Sequence, residues 1–154
     1  MRQAKLKLYI DIPGNGIMMA IPLKSVAGGR TLAYLTGGKA LEGGKPDMDF
    51  EYELIVVILN EGYSELVMDA ARAAGARGGT VLHAKGTGAA VSEKFLGVSL
   101  AQEKDMVYIV ASSKQKAEIM RSVSQNAGTG TKAGAICFTL PISEVAGLRQ
   151  FDEE

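Results

Sequence analysis

The sequence predicts an α+β fold: a four-stranded antiparallel sheet with two helices on one face. Three features predict it. Apolar segments come in the order strand, helix, strand, strand, helix, strand. The strand segments are continuous and β-branched, while the helical ones repeat at three- and four-residue spacing. Glycine and proline clusters separate them.

The elements follow in order. Glu53 to Leu59 is an apolar run of Leu54, Ile55, Val56, Val57, Ile58 and Leu59, the pattern of a strand buried on both faces. Ser64 to Ala74 places Leu66, Val67, Ala70, Ala71 and Ala74 at helical spacing, and Gly75 then Gly78-Gly79 end it as cap and turn. Thr80 to Lys85 is the second strand. Residues 86–104 read as irregular. Met106 to Ala111 is the third strand. Ser112-Ser113 can cap a helix from Lys114 to Gln125, with Ala117, Ile119, Met120 and Val123 as its stripe. Asn126 to Ala133 is a glycine-threonine loop. Gly134 to Leu140 is the fourth strand, closed by Pro141. This order is the split βαβ of the ferredoxin-like fold, and right-handed connections put both helices on one face. The bare face then needs a cover, and in a chain this small the expected cover is another subunit.

Composition excludes several classes. The chain has 154 residues, 47% hydrophobic and 22% charged, which supports a buried core. Seventeen basic residues balance seventeen acidic ones, so the basic surplus of a general nucleic-acid binder is missing. One cysteine, Cys137, and one histidine, His83, exclude a disulfide framework and a Cys/His zinc site. No apolar run approaches the roughly 20 residues of a membrane helix, and residues 1–20 do not read as a signal peptide because Asp11 and Pro13 interrupt them. A cytoplasmic protein is expected. An RNA-binding sheet needs stacking aromatics, and the third strand has only Tyr108.

The chain divides into unequal parts. Seven basic and four acidic residues precede residue 50; ten and thirteen follow. Residues 37–49 are a glycine-rich linker, with Gly37-Gly38, Gly43-Gly44 and Pro46. Residues 1–36 read as a partial upstream repeat, a helix end plus a strand. With an offset of 119, Ile17 falls on Ile136, Pro22 on Pro141, Val26 on Val145, Ala27 on Ala146, Gly28 on Gly147 and Arg30 on Arg149. Ile17 to Leu23 is thus an extra N-terminal strand, expected to add to the sheet of residues 50–150 or to a neighbour's.

Three motifs in residues 50–149 resemble the PII nitrogen-regulatory signal-transduction family. Val81-Leu82-His83-Ala84-Lys85-Gly86-Thr87-Gly88 is similar to that family's second strand and the Lys-Gly-x-Gly start of its T-loop. Thr129-Gly130-Thr131-Lys132-Ala133-Gly134-Ala135-Ile136 resembles its B-loop, one residue short. Pro141-Ile142-Ser143-Glu144-Val145-Ala146-Gly147-Leu148-Arg149 resembles its C-terminal tail. The resemblance implies a homotrimer with ligand clefts between subunits. It also implies binding of ATP or ADP, sensing of 2-oxoglutarate with Mg-ATP, and a T-loop that touches regulated proteins of nitrogen metabolism.

A polyphosphate needs glycine N–H groups and cations. The residues that could supply them are Lys85, Gly86 and Gly88 on the first loop, Gly130, Lys132 and Gly134 on the second, and Arg149 in the tail. Where the family has a glutamine after the first loop, a lysine in the B-loop and a penultimate tail arginine, this chain has Ala90, Ala135 and Gly147. Each charge-assisted phosphate contact is worth about 1.5–3 kcal/mol, so a weak or absent response to 2-oxoglutarate is expected. A PII-like protein with a changed or lost ligand is expected, and a smaller adenine nucleotide such as AMP, which needs fewer cations, stays open. The short 89–104 segment has no tyrosine to accept uridylylation.

No catalytic or metal site is assigned. His83 is expected to be a buried or half-buried strand histidine, Cys137 a small packed hydrophobe, and residues 152–154 a frayed acidic tail. Two other readings compete with the regulatory trimer. One is a trimeric structural or metal-responsive protein similar to the CutA family, which the single histidine and cysteine argue against. The other is a small enzyme whose site has no sequence motif.

Overall fold

The β-branched run forms strand β2 (Tyr52–Asn60), and the rest of the fold is arranged around it. The structure, a computed structural model, describes residues 2–10, 12, 16–22, 37–38, 50–86, 94–95, 98–99 and 102–148. Its chain separates into two compact units, residues 51–141 and residues 1–50 with 142–154.

In the larger unit β2 pairs antiparallel with β6 (Gln102–Ser112), from Tyr52 opposite Ser112 to Asn60 opposite Lys104. On the other side of β6 lies β3 (Thr80–Gly86), from Thr80 opposite Tyr108 to Gly86 opposite Gln102. With β7 (Ile136–Ile142) the sheet order is β3-β6-β2-β7, that of the predicted ferredoxin-like α+β fold. Two helices cover one face: α2 (Ser64–Ala73) and α3 (Lys116–Ala127). Strand alternation aims Ile55, Val57 and Leu59 of β2 and Val107, Ile109 and Ala111 of β6 at them. These pack with Val67 and Ala71 of α2 and with Ile119, Val123 and Ala127 of α3. Each large aliphatic side chain buried here contributes about 1.5–3 kcal/mol. Leu54 and Val56, on the opposite face of β2, are buried too, as a strand covered on both sides requires.

Local chemistry sets the element ends. Gly75 adopts φ +93°, its N–H donates to the Arg72 carbonyl, and the Ala76 N–H donates to that of Ala71. This paired closure needs a left-handed residue, and glycine supplies it without strain. Helix α3 starts two residues later than its sequence suggested. The Gln115 N–H donates to the Ser112 carbonyl, and the Ser112 hydroxyl donates to Gln115 Oε1, so a separate turn precedes the helix. Strand β7 continues through Pro141 rather than ending there. It is an edge strand, and an edge strand can spare one N–H donor.

The stretch read as irregular also contains order. Lys94–Phe95 (β4) pairs with Val98–Ser99 (β5), and residues 102–104 are part of β6. His83 does not fit the buried or half-buried expectation: its side chain is 78% exposed, because β3 is an edge strand beyond the reach of the helices.

Glu53, near the start of β2, is almost fully buried and takes a hydrogen bond from Lys116 of α3. Burial alone would raise its carboxyl. Hydrogen bonds from Lys116 and Thr139, with the Lys116 charge, more than offset this and hold it below its ordinary value. Cys137 is half-buried and packs against the core, and burial raises its thiol.

In the smaller unit α1 (Arg2–Lys7) precedes β1 (Met18–Ala20), which pairs antiparallel with β8 (Glu144–Ala146). The Ser143 N–H extends the pairing to the Ala20 carbonyl. This strand is shorter than the expected Ile17 to Leu23, whose last residue lies outside the described residues. It forms a two-stranded sheet with β8 and does not widen the four-stranded one. Shifted by the sequence offset of 119, α1 falls within α3 and β1 within β7.

Candidate functional site

At the end of β2 the sheet delivers two polar side chains to one place. Asn60 is the last residue of the strand, and the β2–β6 register sets Lys104 directly opposite. The Lys104 ammonium donates to Asn60 Oδ1 at 2.5 Å. Asn60 Nδ2 donates to the Lys132 carbonyl at 2.9 Å, and its backbone N–H donates to the Ala133 carbonyl at 2.8 Å. One asparagine therefore ties the glycine-threonine loop to the sheet and holds a lysine in place.

Glycines shape both sides of this bridge. A Cβ on Gly86 would meet Lys104 Cγ at 3.1 Å and Cε at 3.2 Å, so the bare Gly86 leaves room for the lysine stem. Gly134 has φ +57°, and a Cβ there would sit 3.3 Å from Asn60 Nδ2. The loop is braced from within, since the N–H and hydroxyl of Thr131 both donate to the Gly128 carbonyl at 2.9 Å. Gly130 lies exposed at the loop tip with no atom close to where a Cβ would stand. Lys132 is exposed on the same loop.

Three of the predicted residues thus converge on the Asn60–Lys104 bridge: Gly86, Lys132 and Gly134. Gly130 belongs to the same loop. Lys85 does not join them. Strand alternation turns it to the opposite face, where it pairs with Glu103 at 3.6 Å, both side chains largely exposed. Gly88, Ala90 and Arg149 lie outside the described residues, as do residues 23–30 of the repeat and residues 39–49 of the linker.

Ala135 is buried with the core, and its N–H donates to the Ala127 carbonyl, so no exposed side chain emerges there. Among the described residues, the cations next to the glycine-threonine loop are Lys104 and Lys132. Chemically the arrangement suits an anion: an ammonium held by a neutral amide, beside a glycine-threonine loop.

Asn60 and Lys104 were missed in the sequence. The signal was faint: a polar residue closing an apolar run, and a lysine two residues before the next one. Among the described residues no group of three or more His, Cys, Asp or Glu could hold a metal ion.

The family model "Nitrogen regulatory protein P-II" matches residues 52–152. The chain belongs to the PII family. Among solved structures, the crystal structure of Arabidopsis thaliana PII bound to citrate is similar, with 23% identity, a TM-score of 0.49, and coverage of 62% of this chain and 80% of that one. The comparison with curated proteins gives no match. The Asn60–Lys104 bridge thus stands between Gly86 and the glycine-threonine loop of a PII-like regulatory protein.

Proposed function

We propose that this protein is a cytoplasmic signal-transduction regulator of nitrogen metabolism that acts as a homotrimer, binds a small anionic effector and modulates partner proteins without catalysing a reaction. One observation carries the reading: Gly86 and the glycine-threonine loop flank the Asn60–Lys104 bridge, in which the ammonium's hydrogen-bond partner, Asn60, is neutral. Such a charge attracts an anion, and the flanking loops supply backbone donors.

The effector we favour is an adenine nucleotide with few phosphates. Lys104 and Lys132 supply the charge, and Gly86, Gly88, Gly130 and Gly134 the close backbone approach. Arg149 belongs to the same proposed effector-binding set, as the family resemblance suggests. A contribution from Lys85 requires it to leave Glu103, which is a small cost for an exposed pair. In a trimer the ligand lies between subunits, and the T-loop carries the signal to a partner. The domain scheme belongs to the same proposal: residues 1–36 are the remnant of an upstream repeat joined by the 37–49 linker. The coincidence of α1 with α3 and of β1 with β7 at the 119-residue offset supports it.

Two measurements test the proposal. Native mass spectrometry is expected to give a trimer. Calorimetry is expected to show binding of AMP, ADP or ATP and a weak or absent response to 2-oxoglutarate. A monomer in solution, or indifference to all three nucleotides, overturns it.

A further inference from the structure

A second polar constellation lies on the helix-bearing face of the sheet, opposite Lys104. Asp105 of β6 is 2% exposed, yet it is a carboxylate. Its Oδ2 accepts the Gly62 N–H at 3.0 Å, and its Oδ1 lies 2.8 Å from Nδ1 of His83. A carboxylate only accepts, so Nδ1 must carry the proton in that bond. The neutral imidazole then keeps a lone pair on Nε2, on a side chain 78% exposed. A carboxylate fixing one ring nitrogen while the other is offered outward is how proteins prepare histidine as a metal ligand.

A second donor stands nearby. In the β3–β6 register His83 faces Asp105 and Lys85 faces Glu103, which makes Glu103 the diagonal neighbour of His83 on the same face. Diagonal residues are within reach of one another when both side chains are long. Glu103 is 49% exposed and, among the described residues, pairs with Lys85 at 3.6 Å.

We propose that His83 and Glu103 bind a divalent transition-metal ion of the imidazole-preferring kind, Zn²⁺ being the type case. His83 coordinates through Nε2, Glu103 through its carboxylate, and water completes the shell. Asp105 is the positioning residue that holds the ring. Lys85 competes with the metal for Glu103.

The single histidine makes the test clean, because every imidazole signal in the NMR spectrum of the full chain belongs to His83. The apo protein at pH 8 should show Nδ1 protonated and Nε2 bare, and Zn²⁺ titration should shift the Nε2 resonance. Affinity for Zn²⁺ should fall at least tenfold in His83→Gln and several-fold in Glu103→Gln. It should rise in Lys85→Met, which frees the carboxylate. Asp105→Asn should cost roughly 10–100-fold; if that variant does not fold, the Glu103 and Lys85 variants still decide the matter. A proton on Nε2 in the apo protein, an Nε2 signal indifferent to Zn²⁺, or equal affinity in the His83→Gln variant overturns the proposal. So does an affinity that ignores both Glu103→Gln and Lys85→Met.

Discussion

Strand β2 carries a lysine contact at each end, and the two ends differ in what meets the ammonium. At the start, Lys116 binds the Glu53 carboxylate, so charge meets charge. At the finish, Lys104 binds the Asn60 amide, which orients the lysine without cancelling it. The first pair is about stability, since a nearly buried carboxylate must have a partner. The second leaves a positive charge in place beside Gly86 and the glycine-threonine loop. The same residue type, meeting one strand at its two ends, is thus neutralised at one end and displayed at the other.

The sharpest way to break this contrast is to remove each lysine in turn. Lys104→Met should weaken adenine-nucleotide binding by about one to two decades, the worth of one charge-assisted contact. Its folding stability should change by less than about 1 kcal/mol, because the amide left behind can take water. Calorimetry and urea unfolding of the same preparation read both numbers. Equal nucleotide affinity in variant and parent removes Lys104 from the site.

Lys116→Met should do the reverse. It strands the Glu53 carboxylate, and a loss of about 1–2 kcal/mol is expected, discounted from the cost of a fully buried pair because a third of the Lys116 side chain is exposed. Nucleotide affinity should stay within twofold of the parent.

The acid limb of the stability curve sharpens the comparison further. The folded Glu53 carboxyl lies below its ordinary value of 4.5. A group lowered in this way stabilises the fold fully above about its unfolded value, and the contribution disappears as pH falls through the folded one. The stability gap between the parent and Glu53→Gln should therefore be constant from pH 7 to about 5 and should close below pH 4.5. A gap unchanged at pH 3 contradicts the ion pair.

How much of this was legible beforehand depends on whether a feature is local. The apolar run of β2, the alanine stripe of α2 and the Gly75 closure are written in adjacent residues, and the α+β reading needed little else. Where the sheet ends is not local. His83 and Pro141 were misjudged because sequence does not say which strands are edges. The Asn60–Lys104 bridge joins positions 44 apart through a register that only the folded sheet sets. The glycines around it were visible, but the cation they surround was not.

The smallest expected effect isolates the glycine from the charge. Gly86 does not adopt a positive φ, so alanine fits its backbone, and only Lys104 Cγ and Cε stand within 3.1–3.2 Å of the new methyl. These atoms belong to a flexible stem that can yield by a few tenths of an ångström. Replacing a glycine whose backbone is compatible commonly stabilises by about 0.4–1 kcal/mol, by narrowing the unfolded ensemble. Gly86→Ala should therefore leave stability unchanged or slightly raised while nucleotide affinity drops a few-fold, because the ammonium has moved. If affinity and stability both hold, the glycine serves the chain's turn into the T-loop and not the lysine. If both fall together, the methyl disturbs the β3–β6 pairing itself, and the separation between a structural end and a binding end of β2 does not extend to this position.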